Sequence, residues 1–417
     1  MRTIVWLLLL AVTAVVAATA LGGNDGLVTI YWLGWRTDVS LNLFIISLVL
    51  IFLAIYSTVR GLDALLGLPK RAKRWRTMQR DRAAQSALRE AQALYLAARY
   101  TRAHKVAQRA IAIQADTPDL ALDAEFTALA HLMSAGSLHR LQNRQHRDEH
   151  LQRALDLSKL TRRPRATEEG ARLMAAECAI DDRDATRALR DLGDLPPGVG
   201  RRTQALRLKL QAARLARQPL EALKTARLLA KHQGFTGAAA EGLLRTLASE
   251  TLETARDAEQ LRKIWQQLDA SDRRDPIVVA RGATRMAALG ATQEARQWLA
   301  PQWDQIARLP PDACDALGLA LTHSLLGLEA EWLPRLDAAT PAALRNPGLA
   351  LSVGLALAER QLWGKARSLL LSAANDLQLD SNRRRRAWTR LAQLAEQENR
   401  DEEAARFYRL AALADTN

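Results

Sequence analysis

The histidines are the residues of this 417-residue sequence whose type and spacing are best suited to chemistry. Four of the seven, His131, His139, His146 and His150, lie within one short segment. His146 and His150 have the i, i+4 spacing that places two side chains on one face of a helix. Imidazoles in that arrangement are suited to holding a metal or supplying an axial haem ligand. The same segment is rich in Arg and Gln, and we favour the alternative that it is a solvated helix face.

No other motif of catalysis or cofactor binding is present in the sequence. It contains no phosphate-binding G-x-x-x-x-G-K-[ST], no dinucleotide fingerprint after a strand, no H-E-x-x-H and no G-x-S-x-G. The two cysteines, Cys178 and Cys314, are far apart and belong to no metal-ligand cluster, so we expect two small core residues in a reducing compartment. We therefore expect neither an enzyme nor a resident metal.

Two long apolar segments near the N-terminus predict membrane-spanning helices. Ile4–Leu21 and Leu41–Val59 contain no charged residue, and each is long enough to cross a hydrocarbon core of about 30 Å. Ala18-Thr19-Ala20 has the small-residue pattern of a signal-peptide cleavage site, so removal of the first segment is the alternative. Because a second span follows closely, we favour two spans within an anchor of residues 1–75.

The distribution of charge predicts the orientation of this anchor. Eight basic residues and two acidic ones lie between Arg60 and Arg82, so six of the fourteen net positive charges directly follow the second span. At its centre are Lys70, Arg71, Lys73, Arg74 and Arg76. Such a stretch is typical of a cytoplasmic segment beside anionic lipid, and no nucleic-acid-binding motif accompanies it. We expect membrane lipid and no nucleic acid as partners, both chain ends in the cytoplasm, and residues 22–40 as a periplasmic loop.

Residues 22–40 alternate in a way that indicates an extended segment. Leu27, Thr29, Tyr31, Leu33 and Trp35 alternate with Val28, Ile30, Trp32 and Gly34. A period of two is typical of a strand, and the aromatic residues favour a membrane interface. A small hairpin at the membrane surface is therefore expected.

Helical segments separated by short breaks follow from about residue 76 to the C-terminus. At the end of the chain, the spacing of a tetratricopeptide repeat is met by Trp388, Leu391, Ala392, Ala404, Tyr408 and Ala411. The alanines would let two helices approach closely, while Trp388 and Tyr408 would fill the groove to the next repeat. Similar frames recur upstream with Gly354, Gly282, Ala213 and Ala107 at small positions. We predict an all-α chain with a tetratricopeptide-like solenoid over residues 76–417.

Two segments fit this repeat pattern less simply. Gly136–His150 is out of phase and predicts a longer turn between helices. Arg383–Arg386 is a run of four arginines at the start of the last repeat. A solvated helix start is the interpretation we favour for the run, and a surface for a partner is the alternative.

The layout as a whole resembles the HemY family of proteobacterial inner-membrane proteins. The resemblance lies in GLVTIYWLGWRTDVSL between two spans, the basic segment KRAKRWRTMQRDRA, and a final repeat AWTRLAQLAEQENRDEEAARFYRLAALA. It implies a non-catalytic protein of the inner membrane that organises or regulates late haem-biosynthesis enzymes. The resemblance does not imply the activity of the unrelated flavin-dependent protoporphyrinogen oxidase that shares the name, because this sequence lacks that enzyme's dinucleotide fingerprint.

The leading hypothesis is thus a membrane-tethered adaptor with late haem enzymes as partners. One alternative is a haem or porphyrin carrier that uses a histidine among His131, His139, His146 and His150. The other is an adaptor for envelope or cytochrome assembly.

Overall fold

The computed structural model describes residues 26–160, 165–232 and 237–414, together with Leu10, Thr13 and Ala17. Its regular structure is helical apart from one hairpin, which confirms the predicted all-α class. The predicted span Ile4–Leu21 and the cleavage site after Ala20 lie outside the described residues, apart from those three positions. The chain forms two compact units, Met1–Leu160 and Thr161–Asn417.

A two-stranded antiparallel hairpin, formed by β1 (Leu27–Trp32) and β2 (Trp35–Ser40), precedes the first long helix. Leu33 and Gly34 form its turn with φ of +52° and +88°, the two positive angles that match the twist of a tight hairpin. The register places the apolar pairs on one face of the hairpin: Val28 opposite Val39, and Trp32 opposite Trp35. The tryptophans are 72% and 79% exposed. The expected extended segment is confirmed, and the two tryptophans beside its turn are exposed to solvent.

Helix α1, Leu41–Leu96, continues directly from this hairpin. The Leu41 amide donates to the Gly26 carbonyl, and the Ser40 side chain caps the helix. Within it, Leu41–Leu62 has a mean hydropathy of 2.3 and none of its most apolar window is buried. It is the one helix among the described residues that is long and apolar enough to cross a membrane, and it coincides with the second predicted span.

The rest of the N-terminal unit consists of the C-terminal part of α1 and three more helices. These are α2 (Tyr100–Ala115), α3 (Ala124–Arg140) and α4 (Arg144–Leu160). The C-terminal part of α1 contributes Ala84, Ala87, Leu88 and Ala91 to the core. The predicted domain boundary at residues 75 and 76 therefore falls inside one continuous helix.

The C-terminal unit is built from helices joined by short connections. In chain order they are α5 (Arg165–Asp181), α6 (Ala185–Gly193), α7 (Pro197–Gly200), α8 (Thr203–Leu215), α9 (Pro219–Lys231), α10 (Gly237–Glu253), α11 (Ala258–Gln267), α12 (Ala270–Arg274), α13 (Pro276–Ala288), α14 (Thr292–Trp303), α15 (Pro311–Thr322), α16 (Leu333–Ala343), α17 (Pro347–Glu359), α18 (Trp363–Asn375), α19 (Ser381–Gln397) and α20 (Asp401–Leu413). From α13 onward, each helix packs on the next except that α15 does not pack on α16, and α13, α15, α17 and α19 also pack in succession. One core runs along these helices.

One turn recurs between helices in both units. It has three residues, and the middle one has a positive φ of 54° to 87°. Its seven copies among the described residues are centred on Ala98, Gln142, Arg183, Arg217, Gly290, Gln361 and Asn399. The residue after each centre donates its amide to a carbonyl five residues back, as from Arg400 to Ala395, which is the Schellman ending of a helix. Seven helix pairs thus share one turn geometry, although only one copy has glycine at its centre.

This turn overturns the prediction for Gly136–His150. The segment was expected to be a longer turn, whereas the structure places its residues in α3 and α4, joined by the short turn at Gln142. The polar residues that suggested a loop include Arg147 and His150, which are buried at 1% and 9% exposure. Arg147 contacts His139, and His150 contacts His131. These polar residues are therefore buried between the two helices, although their polarity indicated an exposed turn.

Glycines at the predicted small positions do allow close helix packing. A Cβ atom on Gly354 would lie 2.9 Å from Leu370 Cγ, and one on Gly282 would lie 3.2 Å from the Trp298 ring. Atoms this close must move, so helices α17 and α18 require glycine at position 354.

A buried arginine holds the chain after α15 in place. Arg296 is 4% exposed and donates to the carbonyl oxygens of Ser324, Leu326 and Gly327 at 2.5 to 3.0 Å. The turn would otherwise bury unpaired carbonyls, so Arg296 has a structural role.

Candidate functional site

A pair of buried histidines lies inside the helix pair α3–α4. His131 on α3 and His150 on α4 are 5% and 9% exposed. Their Nδ1 atoms are 2.7 Å apart, which is a hydrogen bond. It requires one ring to donate its Nδ1 proton and the other to accept it, so both neutral tautomers are present.

A third histidine, from α2, completes this cluster. The ring of His104 meets that of His150 edge-on at 5.6 Å and 87°. Its Nδ1 atom is buried without a hydrogen-bond partner. Sequence reasoning missed His104 because it lies outside the histidine-rich segment. The signal available was its place next to Ala103 and Ala107, which mark the packed face of α2.

Burial keeps the cluster uncharged at neutral pH. Desolvation lowers the pKa of both His131 and His150 to about 4, and the charge of Arg153 adds to the effect at both. At His150 the other two histidines contribute as well. Burial and then the proximity of His146 lower the pKa of His104. The cluster is therefore a set of neutral imidazoles that resists protonation.

His139 and His146, the other two predicted ligands, are not part of this contact. His139 Nδ1 lies 3.3 Å from Nη1 of Arg147, whose guanidinium also pairs with Asp148 at 2.8 Å. His146 is largely exposed and lies 3.3 Å from Glu149. The i, i+4 pair of His146 and His150 thus points to different partners, and the interpretation of this stretch as a solvated face is wrong for His131, His150 and Arg147.

The cluster does not fit a metal or haem ligand set. Across the described parts of the chain, no group of three or more His, Cys, Asp or Glu side chains is arranged to hold a metal ion. A haem ligand must present a ring nitrogen to a flat macrocycle, whereas His131 and His150 are enclosed and bonded to each other. The geometry favours a packing role.

The basic segment that follows the second predicted span lies on α1. Lys70, Arg71, Lys73, Arg74 and Arg76 are exposed on the helix that continues from the apolar stretch Leu41–Leu62. Lys73 lies 3.7 Å from Asp119, and both side chains are mostly exposed. The segment is free to present positive charge to a lipid surface.

The last helix pair, α19 and α20, packs through a different aromatic residue from the one predicted. Trp388 is buried and stacks at 5.6 Å on Phe407, whereas Tyr408 is 39% exposed and donates its hydroxyl hydrogen to Glu396. Leu391, Ala392, Ala404 and Ala411 are buried as expected. The assignment of Tyr408 to the packing set is therefore wrong, because α20 turns the preceding residue, Phe407, towards Trp388 instead.

The four arginines of the run Arg383–Arg386 have separate environments. Arg383 bonds to Asp315 and Asp380 at 2.7 and 3.1 Å, and Arg384 reaches the Ala414 carbonyl at 3.5 Å. Arg385 and Arg386 instead line an open groove of about 550 Å³ against α17. Half of the run is thus structural and half faces a cavity.

Residues 26–134 match the family model described as HemY protein N-terminus. The matched region holds the hairpin, all of α1 and α2, and part of α3, so it includes His104 and His131. No curated protein matched the chain.

Proposed function

We propose that this is a HemY-family protein, which the match over residues 26–134 supports. We further propose that it is a non-catalytic, membrane-tethered adaptor that acts in late haem biosynthesis. It binds or regulates enzymes of that pathway through a helical-repeat groove. One observation carries the proposal. Helix α1 begins as an unburied apolar segment and ends as a packed member of the helical array. The apolar segment and the first packed helix of the N-terminal unit are thus one continuous helix.

The tether would be a multi-pass anchor in the inner membrane of a bacterium. Leu41–Leu62 is compatible with one span, and the predicted Ile4–Leu21 would supply the other. The exposed basic stretch after α1's apolar part supports an orientation with both termini and the helical array in the cytoplasm. The aromatic hairpin between the spans would then lie at the outer surface.

The array would be a tetratricopeptide-like solenoid. Seven pairs with one turn geometry, close approach at Gly354 and Gly282, and successive packing of α13, α15, α17 and α19 support that classification. Stacked pairs leave a concave surface that takes up peptides or helices of other proteins. A binding role follows from such a surface, while the buried, mutually bonded histidines favour neither catalysis nor haem carriage.

The membrane tether would itself strengthen the binding of partners. Confining the array to the membrane surface raises the effective concentration of partners on the same surface, so modest affinities suffice. Late haem intermediates are poorly soluble, and an adaptor at the membrane would keep successive enzymes near each other.

The proposal is tested by affinity capture of the full chain from solubilised membranes, with porphyrin levels measured in a deletion strain. Recovery of late haem enzymes and an altered porphyrin profile are expected. Replacing Leu41–Leu62 by an unrelated apolar helix should preserve both results, whereas deleting it should abolish capture. Failure to recover any haem enzyme, with normal porphyrins in the deletion strain, would refute the adaptor. An altered envelope or cytochrome content with normal porphyrins would favour the assembly alternative.

A further inference from the structure

The middle of α1, between its apolar segment and its packed C-terminal part, carries a short apolar stripe. The stripe consists of Leu68, Ala72, Trp75 and Met78, which follow one another at intervals of three or four residues and so share one side of the helix. Leu68, Trp75 and Met78 are 53%, 63% and 54% exposed, and Ala72 is exposed as well. Within the described parts of the chain, no element covers the stripe. Contiguous exposed apolar surface is a common mark of an interaction site.

The opposite side of the same helical turns is held by the N-terminal unit. Thr77 and Lys73 lie 3.4 and 3.7 Å from the Asp119 carboxylate, in the connection between α2 and α3. Arg80 donates to a carbonyl oxygen of the same connection at 3.1 Å. At about 100° per residue, Thr77 and Lys73 lie about 160° around the helix from Trp75. The contacts of the unit therefore direct the stripe away from it.

In the proposed orientation, lipid does not reach the stripe. Arg60 is the first charged residue after the uncharged run of the second predicted span, so the hydrocarbon of the bilayer ends near it. Trp75 follows fifteen residues later, about 22 Å along the helix axis, whereas a headgroup layer is only about 5 to 8 Å thick. A helix tilt of about 20° and a further bend of about 25° at Pro69 still leave Trp75 roughly 19 Å from the hydrocarbon. The stripe therefore stands in water beyond the headgroups.

Exposed basic side chains border the stripe on both sides. Arg71 and Arg74 lie beside Met78, and Arg76 lies beside Ala72. A second copy of the chain, anchored in the same membrane and running parallel, would set these arginines opposite their own counterparts at the same height. Facing like charges disfavour such a pair, whereas carboxylates on the flanks of a different helix form ion pairs with the arginines. The borders thus select an acidic partner over a second copy.

The length of the stripe suits a helix as the occupant. From Leu68 to Met78 it covers about three turns, or about 15 Å, and a helix alongside contacts every turn at once. Trp75 supplies the largest apolar surface, and the small Ala72 lets the two helix axes approach closely. Such a contact is short for a stable complex in solution. Two proteins tethered to one membrane meet at a high effective concentration, so the contact suffices there.

We propose that the stripe docks an amphipathic helix of another membrane-anchored protein, which leaves the bilayer on the same side and runs alongside α1. Its apolar side chains pack around Trp75, and Glu or Asp side chains on its flanks pair with the bordering arginines. The inference rests on the proposed membrane tether, and it specifies the class of partner that the adaptor takes.

The test uses the full chain and a synthetic probe in phosphatidylcholine vesicles. The probe, termed the Glu peptide, has an uncharged Leu/Ala span followed by a helical extension with Leu and Ala on one side and Glu on its flanks. Energy transfer is measured from a donor on the probe to an acceptor on Ala112→Cys, at an exposed position of α2, since the native Cys178 and Cys314 are buried. Saturable transfer that weakens with salt is expected, and a Lys peptide, with Lys in place of each Glu, should associate at least tenfold more weakly.

Substitutions in the chain locate the contact. Leu68→Ser/Trp75→Ser should lower the association constant at least tenfold. Leu96→Ser/Leu122→Ser removes two leucines that are 84% and 86% exposed outside the stripe and should leave the constant within about twofold. Arg71→Glu/Arg74→Glu should reverse the preference, so that the chain favours the Lys peptide, and a folding defect does not produce that reversal.

The inference is overturned by no saturable transfer from the Glu peptide, by equal transfer from the Lys peptide, or by equal losses in the two serine variants. Energy transfer between two labelled copies of the chain, abolished by Leu68→Ser/Trp75→Ser, would also reject it and make a second copy the occupant. Quenching of a dansyl label on Ala72→Cys by brominated lipid would reject it by placing the stripe in the bilayer.

The proposed function is measured separately on the same chain. Flotation of the full chain with vesicles reports the tether, and affinity capture of haem enzymes reports the adaptor. A chain that floats and captures these enzymes but does not bind the Glu peptide overturns the docking inference alone. A chain that does not float, or that captures no haem enzyme, overturns the proposed function.

Discussion

Acidification should loosen the N-terminal helical unit through the buried histidine pair. His131 and His150 have a folded-state pKa of about 4, below the ordinary value of 6.5, because burial disfavours the charged ring. The unfolded chain therefore binds more protons than the folded chain between these two values. The stabilisation is fully present above pH 6.5 and is lost as the pH falls from 6.5 towards 4.

The size of the effect follows from the two pKa values. For one ring, lowering the pH from 7 to 5 removes about 2 kcal/mol of stability, or roughly a thirtyfold change in the opening equilibrium. The two rings share one proton across the 2.7 Å contact and titrate as a unit, so we count the pair once. A second proton would place two N–H groups against each other and adds to the loss.

Native-state hydrogen exchange of α3 and α4 in the full chain measures this loss locally, after correction for the intrinsic effect of pH on exchange. His131→Asn/His150→Asn removes both titrating rings and keeps amide groups near the Nδ1 positions, so most of the pH dependence should disappear. His146→Asn, at an exposed site four residues from His150, touches the cluster only through its effect on the pKa of His104 and should leave most of the dependence in place. Equal protection of these helices at pH 7 and pH 5 in the unaltered chain would refute the reasoning.

Further predictions concern packing and the anchor. Gly354→Ala forces a Cβ into the next helix and should destabilise the C-terminal unit by about 1 to 3 kcal/mol by thermal melting, while Gly242→Ala, which meets no atom within 4 Å, should be neutral or stabilising. Arg296→Met leaves three carbonyl oxygens without a donor and should lower the free energy of unfolding of the C-terminal unit by about 3 kcal/mol, again measured by thermal melting. An unchanged melting temperature would contradict the structural role of Arg296. In proteoliposomes, brominated lipids should quench a component of tryptophan fluorescence that Trp32→Ser/Trp35→Ser removes; unchanged quenching in that variant would place the hairpin away from the membrane.

The helical class and the second apolar span could be predicted because both depend on local pattern. Uncharged residues over Leu41–Val59 and repeated small residues at 354 and 282 are visible without knowledge of the fold. Spacing also identified Trp388, Leu391 and Ala392 as core positions, and the structure buries all three.

The remaining features depend on tertiary contacts that no local pattern encodes. Tyr408 and Phe407 are adjacent aromatics, and only the rotation of α20 decides which one meets Trp388. The polarity of Gly136–His150 suggested solvent, but His150 is paired with His131 across a turn centred on Gln142. His104 joins them from a different helix.

Site-specific photo-crosslinking in living cells tests the central claim most directly. A photoreactive amino acid at Thr389, inside the groove, is compared with one at Arg406 on the exposed side of α20, and the adducts are identified by mass spectrometry. The adaptor account predicts that Thr389, and not Arg406, captures an enzyme of late haem biosynthesis in membranes. Adducts without any such enzyme at Thr389, or the same adducts at both positions, would contradict it.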